Sequence, residues 1–154
     1  TGTKSNGKII GFGSLNTTGE GQYDRHIYID PNGRVVFGVY PGEVKTVSTP
    51  DTTYADNQWH HVVATLTPTA GATVGQRLYV DGELVDSAPT VTTAESYAGY
   101  WKVGCGNLSN WQNGKSTTVY NGPSYFTGQL QFAAVYKVAL TAEQVKEHFK
   151  AGDF

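Results

Sequence analysis

The sequence predicts an all-β domain, an antiparallel two-sheet sandwich with one short C-terminal helix. Three observations point there. Glycine occupies 19 of 154 positions and tyrosine 10, with abundant Thr and Val and few helix formers, a mixture that suits pleated strands joined by turns. Roughly nine short alternating segments, separated by Gly, Pro, Asn and Asp, recur along the chain. A hydrophobic content of 38% over this length supplies one core and not two. A single domain over residues 1–154 is therefore expected.

The elements follow in order. Lys8–Ser14 (KIIGFGS) reads as the first strand, after a polar start. Ile27–Asp30 and Val35–Tyr40 form a hairpin across Pro31-Asn32-Gly33, whose residues are turn formers. A short strand, KTVST, precedes the strongest one, Trp59–Pro68 (WHHVVATLTP). The segment QRLYVDGELVDS is a second hairpin, and its Asp81-Gly82 centre suits a type I′ turn with positive φ at both residues. YWKVGCG and the long stretch Tyr125–Val138 complete the strands. Runs such as Val35-Val36-Phe37 and Val62-Val63-Ala64 are apolar on both faces, so those strands are expected to be covered on both sides. Only the tail is helical: Thr141 caps, Gln144 completes a capping box, Leu140 staples against Val145, Phe149 follows at i+4, and Gly152 stops the helix.

Charge and composition exclude several function classes. A net charge of −2 offers no basic field to nucleic acid or to an anionic membrane. No run reaches the roughly 20 apolar residues of a membrane span, and no signal peptide is visible. Cys105 is the single cysteine, so no internal disulfide forms; a cysteine-poor bacterial surface protein or a cytoplasmic protein fits better than a small secreted animal module. The absence of methionine and the abrupt start at Thr1 read as a piece of a longer chain.

The order of motifs then resembles a known family. Trp59-His60-His61-Val62, then Leu78-Tyr79-Val80-Asp81-Gly82, then Gly128-Gln129-Leu130 with Tyr136, and finally Ala139-Leu140-Thr141 with Val145, resemble the laminin-G-like branch of concanavalin A-like jelly rolls. The resemblance covers Lys8 to Phe149 and implies a jelly-roll sandwich. Two departures stand out. Where the family usually carries acidic residues, used by some members for a structural calcium, this chain has Gln131 and Phe132, poor ligands for a hard cation. Members also have strands upstream of the GKIIGFG segment, which implies that this chain is a truncated or separately supplied part of a sandwich whose open edge awaits a partner.

The chemistry-bearing residues point away from catalysis. Neighbouring strand residues face opposite ways, so His60 and His61 are not expected to share one ion. His26 and His148 stand without metal-ligand spacing. A retaining glycosidase on this fold needs two carboxylates on one strand face, whereas Glu20, Glu43, Glu83, Glu95, Glu143 and Glu147 are scattered over loops, a turn flank and the helix. No G-x-S-x-G elbow occurs. Cys105, between Gly104 and Gly106, reads as a buried thiol. The glycine-rich stretches open no helix and so cradle no phosphate. Asp24 and Asp30 share a strand face by parity and are the only weak candidates for a metal; no cofactor is expected, and calcium is the one ion left open.

The segment Tyr97–Phe126 is the suggestive one. It gathers Tyr97, Tyr100, Trp101, Trp111, Tyr120 and Tyr125 with Asn107, Asn110, Asn113 and Asn121, and ligand sites combine apolar walls with a few placed polar groups. Trp111 is the expected stacking residue, with Asn110, Asn113 and Tyr120 as hydroxyl partners and Asn107 beside them. The competing reading puts Trp101 and Tyr125 in the core and leaves the asparagines to make turns. The expected function is a non-catalytic carbohydrate- or glycoconjugate-binding module of an extracellular, secreted or cell-surface protein, bacterial by its cysteine usage. The alternative is a structural or adhesion module that pairs an exposed sheet edge with a protein partner, or with the rest of its parent chain. A glycoside hydrolase ranks below both.

Overall fold

A computed structural model of the chain describes residues 7–19, 21–50, 54–68, 74–111 and 122–152. Two antiparallel sheets face each other. The larger has the order β4 (Lys45–Ser48), β3 (Val35–Val39), β2 (Tyr23–Ile29), β1 (Gly7–Gly13), β8 (Tyr100–Val103). The smaller has the order β5 (Val62–Thr67), β6 (Gly75–Val80), β7 (Glu83–Ala88). A separate ribbon of β9 (Cys105–Asn107) and β10 (Pro123–Tyr125) lies beside β1, and α1 (Ala142–Ala151) ends the described chain.

The doubly apolar strands are explained by two layers of packing. On the inner face Ile29, Val35, Phe37, Val39 and Val47 meet Leu78, with Val62, Ala64 and Leu66 alongside. On the outer face Tyr28 and Val36 are covered by Leu108 and Trp111. Each fully buried aliphatic side chain contributes about 1.5–3 kcal/mol, so β3, buried at all its positions, is a main source of stability. Hydrogen bonds stitch the sheets on the β3–β4 side. Gln76 Nε2 donates to the Phe37 carbonyl at 2.8 Å, and Asp86 accepts from the Ser48 amide at 2.9 Å.

Local signals produce the expected local structure. Asp81 and Gly82 have φ of 52° and 82°, as the tight β6–β7 turn requires. Thr141 and Gln144 form the capping box, Gly152 closes the helix, and Leu140 and Val145 bury together against Tyr79.

Three expectations are corrected. Trp59, His60 and His61 precede β5 instead of opening it. Cys105 is half-buried at the start of β9 and not enclosed. The long stretch Tyr125–Val138 is not a strand: β10 ends at Tyr125, and the chain then runs irregularly to the helix cap with Leu130, Phe132, Val135, Tyr136 and Val138 exposed. Alternation makes a segment competent to be a strand, but a strand exists only where a neighbour supplies its hydrogen bonds; among the described residues none is paired with it.

Candidate functional site

The outer face of the larger sheet carries the site, and two bulges build it. Between the pairs Ile10↔Ile27 and Phe12↔Asp24, β1 has one residue and β2 has two, Arg25 and His26, with Arg25 at φ 52°. A bulge of this kind inverts the alternation. It lets Tyr23 join His26 and Tyr28 beneath the same cover, the rings of Tyr23 and His26 stacking at 6.0 Å. A compensating shift lies between Lys8 and Ile10. The cover is the turn after β9. Asn107 accepts from the Ser109 amide at 2.8 Å, Ser109 Oγ accepts from the Gly122 amide at 2.7 Å, and the Trp111 amide donates to the Leu108 carbonyl at 3.0 Å. Those bonds drive the Trp111 indole onto Gly38, where any Cβ would overlap the ring, and edge-on to His26 at 4.5 Å.

Beside this cover lies a cavity of about 300 Å³ walled by Tyr23, Tyr40, Val44 and Trp111 and rimmed by Gln22, Glu95 and Asn110. Gln22 Nε2 donates to the Glu95 carboxylate at 2.8 Å, and the Tyr23 hydroxyl donates to the Ser109 carbonyl at 3.2 Å. Phenol and indole walls with an amide–carboxylate pair at the rim can hold a small polar ligand that has an apolar face. Behind the wall the charges are fixed. Asp24 is fully buried, accepts from the Glu95 and Tyr40 amides at 2.9 and 3.2 Å, and pairs with Arg25 at 2.8 Å. Burial raises its carboxyl above the ordinary value despite these donors. Lys8, also buried, donates from Nζ to the Asn107 carbonyl at 3.1 Å, and burial lowers its ammonium to about 7. Burial, with Lys8 nearby, holds His26 neutral, well below its usual value.

The residues expected from sequence fall as follows. Trp111 and Asn110 line the cavity, but Trp111 is only 2% exposed and serves as a wall with its ring engaged by Gly38 and His26. Asn110 is exposed, at φ 62°. Asn107 is buried in the turn, its Oδ1 engaged by the Ser109 amide, and it does not line the cavity. Asn113 and Tyr120 lie outside the described residues. Asp24 and Asp30 do not form a pair: the bulge at Arg25 breaks their parity, and about 20 Å of strand separates them. Asp30 accepts from the Asn32 and Arg34 amides at 2.8 and 2.9 Å and so holds the β2–β3 turn. Among the described residues, no three His, Cys, Asp or Glu side chains converge as a metal site needs. Gln22, Tyr23, Tyr40 and Glu95 carried no signal in the sequence, because only the bulge and the crossing of distant segments unite them.

The histidine pair forms a separate structural knot. His60 Nδ1 lies 2.8 Å from Asp81 and Nε2 3.1 Å from Asp56, and the Tyr54 ring meets it edge-on at 5.0 Å. His61 stacks on Phe149 at 6.1 Å. Burial opposes charge on both rings, yet the hydrogen bonds to Asp81 and Asp56 raise His60 above 6.5, while burial and the nearby His148 lower His61 below it. His60 therefore adds stability that is fully present below pH 6.5 and lost as pH rises through its raised value. In a proton NMR titration His60 should titrate after His61 as pH rises, and Asp81→Asn should bring His60 down. Superimposable curves for the two rings would refute the assignment.

Two antiparallel sheets, with a cavity on the outer face of the larger one, define a β-sandwich domain. A family model described as the concanavalin A-like lectin/glucanases superfamily, of laminin G type, matches residues 1–146, and the chain belongs to that family. It is 28% identical over 140 residues to a Rattus norvegicus protein named "Sushi, von Willebrand factor type A, EGF and pentraxin domain-containing protein 1". That match takes in 90% of this chain but 4% of the rat protein. Among solved structures, an S-layer domain-containing protein (residues 221–444) from Clostridium thermocellum ATCC 27405 aligns over 97% of this chain and 65% of its own. Its identity is 21% and its TM-score 0.39, too loose to add to the fold argument.

Proposed function

We propose that this domain is a non-catalytic module that binds carbohydrate or a glycoconjugate in the cavity between Tyr23, Tyr40 and Trp111, in the service of a secreted or cell-surface parent protein. The observation that carries the reading is the Gln22–Glu95 pair set at the rim of an aromatic-walled cavity. A pyranose presents C–H faces to such walls and hydroxyls to such a pair. Membership of a lectin-containing superfamily supports it. Binding without chemistry is supported by the way the described strand carboxylates are engaged. Asp24 is held by amides and Arg25, Asp86 by the Ser48 and Ser87 amides, and Glu83 by Lys146.

A glycan array with the wild-type domain identifies the ligand, and calorimetry with Glu95→Gln and Tyr40→Ala tests the site. Loss of a hydrogen bond to a charged group costs about 1.5–3 kcal/mol, so Glu95→Gln should weaken binding roughly 10- to 100-fold at an unchanged melting temperature. Wild-type affinity in both variants would remove this cavity from consideration.

A further inference from the structure

The cavity between Tyr23, Tyr40 and Trp111 has a sign as well as a shape. Among the described residues that line it, Glu95 is the one charged side chain. Each cation carried by a strand of the larger sheet has another partner. Arg25 lines the cleft between the sheets, with Nε on Asp24 at 2.8 Å and its guanidinium 4.4 Å from the centre of the Phe12 ring. Lys102 donates to the Leu15 and Thr17 carbonyls at 3.0 and 2.7 Å, Lys45 pairs with Glu43 at 2.6 Å, and Lys8 donates to the Asn107 carbonyl at 3.1 Å.

The rim carboxylate is also held in place. Asp24 Oδ2 accepts the amides of both Glu95 and Tyr40, at 2.9 and 3.2 Å, so one buried atom pins the backbone of the rim acid and of an aromatic wall. Gln22 is pinned by the β1–β2 turn: its amide donates to Ser14 Oγ at 2.9 Å, and its carbonyl accepts the Ser14 amide at 2.8 Å. Its Nε2 then meets Glu95 at 2.8 Å. The pair offers acceptor oxygens together with an amide that both donates and accepts, which suits hydroxyls or an ammonium. A ligand carboxylate or sulfate would instead face the Glu95 charge, and the donor beside it, Gln22 Nε2, is already engaged there. Like charges set together are an effective device for rejecting a wrong partner. At about 300 Å³ the cavity is at the small end of ligand sites, with room for one sugar ring.

We propose that the cavity seats a single uncharged or cationic sugar residue and turns away acidic sugars, with the Glu95 carboxylate as the discriminating group. This rests on the carbohydrate reading above and narrows it to a class. Uronic acids, sialic acids and sulfated sugars fall outside that class; neutral hexoses and sugars with a free amine fall within it.

A glycan array printed with neutral, amino-bearing, uronic, sialylated and sulfated termini tests this on the unaltered domain and on Glu95→Gln. Wild-type signals should be confined to neutral and amino-bearing termini. Calorimetry on a neutral ligand and its uronate counterpart should then show a gap of at least about 10-fold, narrowing as salt rises to about 1 M, where charges are screened within about 3 Å. Glu95→Gln should weaken the neutral ligand and shrink the gap below about 3-fold, since a carboxamide can donate to a carboxylate. Misfolding of the variant would weaken both ligands alike and leave the ratio unchanged, so the ratio reports discrimination itself. Wild-type binding of acidic termini as tight as that of their neutral counterparts would overturn this inference and leave the carbohydrate reading standing. An array without signal for any sugar would overturn both.

Discussion

Trp111→Ala should lower the unfolding free energy by about 3–5 kcal/mol, the usual loss when a large buried aromatic is truncated. The indole is 2% exposed and closes the outer core over Tyr28, Val36 and Leu108. Its ring packs on Gly38, which has no side chain to fill the space. Against a typical total of about 5–15 kcal/mol, such a loss removes roughly a fifth of the stability or more. Urea melts of both proteins measure it. A loss below about 1 kcal/mol with an unchanged m-value would show that the indole is not the keystone of this layer. The result bears on ligand binding too. Lost binding in this variant would report unfolding, so the Glu95 and Tyr40 variants carry the functional test.

The second large effect is a stability that climbs with pH. Burial holds the Lys8 ammonium near 7 in the folded chain, with Lys102 acting in the same direction, while the unfolded chain keeps its proton to 10.5. Between those values the unfolded state binds more protons, so unfolding becomes less favourable as pH rises. The full gain, on the order of 5 kcal/mol, is complete only near the upper limit. His26, held neutral in the fold, acts with the same sign below pH 6.5, outside this window. Burial raises the Tyr97 phenol to about 12, so its contribution is present below pH 10 and is lost above it. Stability should therefore peak near pH 10. Guanidinium melts from pH 7 to 10 should show this slope in the wild type and a flattened one in Lys8→Met. Equal slopes would show that the amine reaches water when charged.

The site and the fold were legible to different degrees, for one physical reason. Period-two alternation, the Asp81-Gly82 turn and the Thr141–Gln144 capping box act within a few residues, so composition and spacing were enough to place β1 to β8 and α1 to within a few positions. Family membership followed from motifs in the right order. Trp111 and Asn110, singled out in the sequence, both line the cavity, but the role of Trp111 as a wall was hidden, because burial depends on Gly38 and His26 far away in the chain. Gln22 and Glu95 meet across 73 residues, which no local pattern can announce.

Sequence by itself determined an all-β chain, its turns and its capped helix. Tertiary structure decided the rest: which face Tyr23 takes after the bulge at Arg25, that Asp24 and Asp30 serve backbone amides, and that residues 129–138 stand outside a sheet they are patterned to join. A strand's alternation is written locally, but its partner, its register and the water it excludes belong to residues elsewhere in the chain.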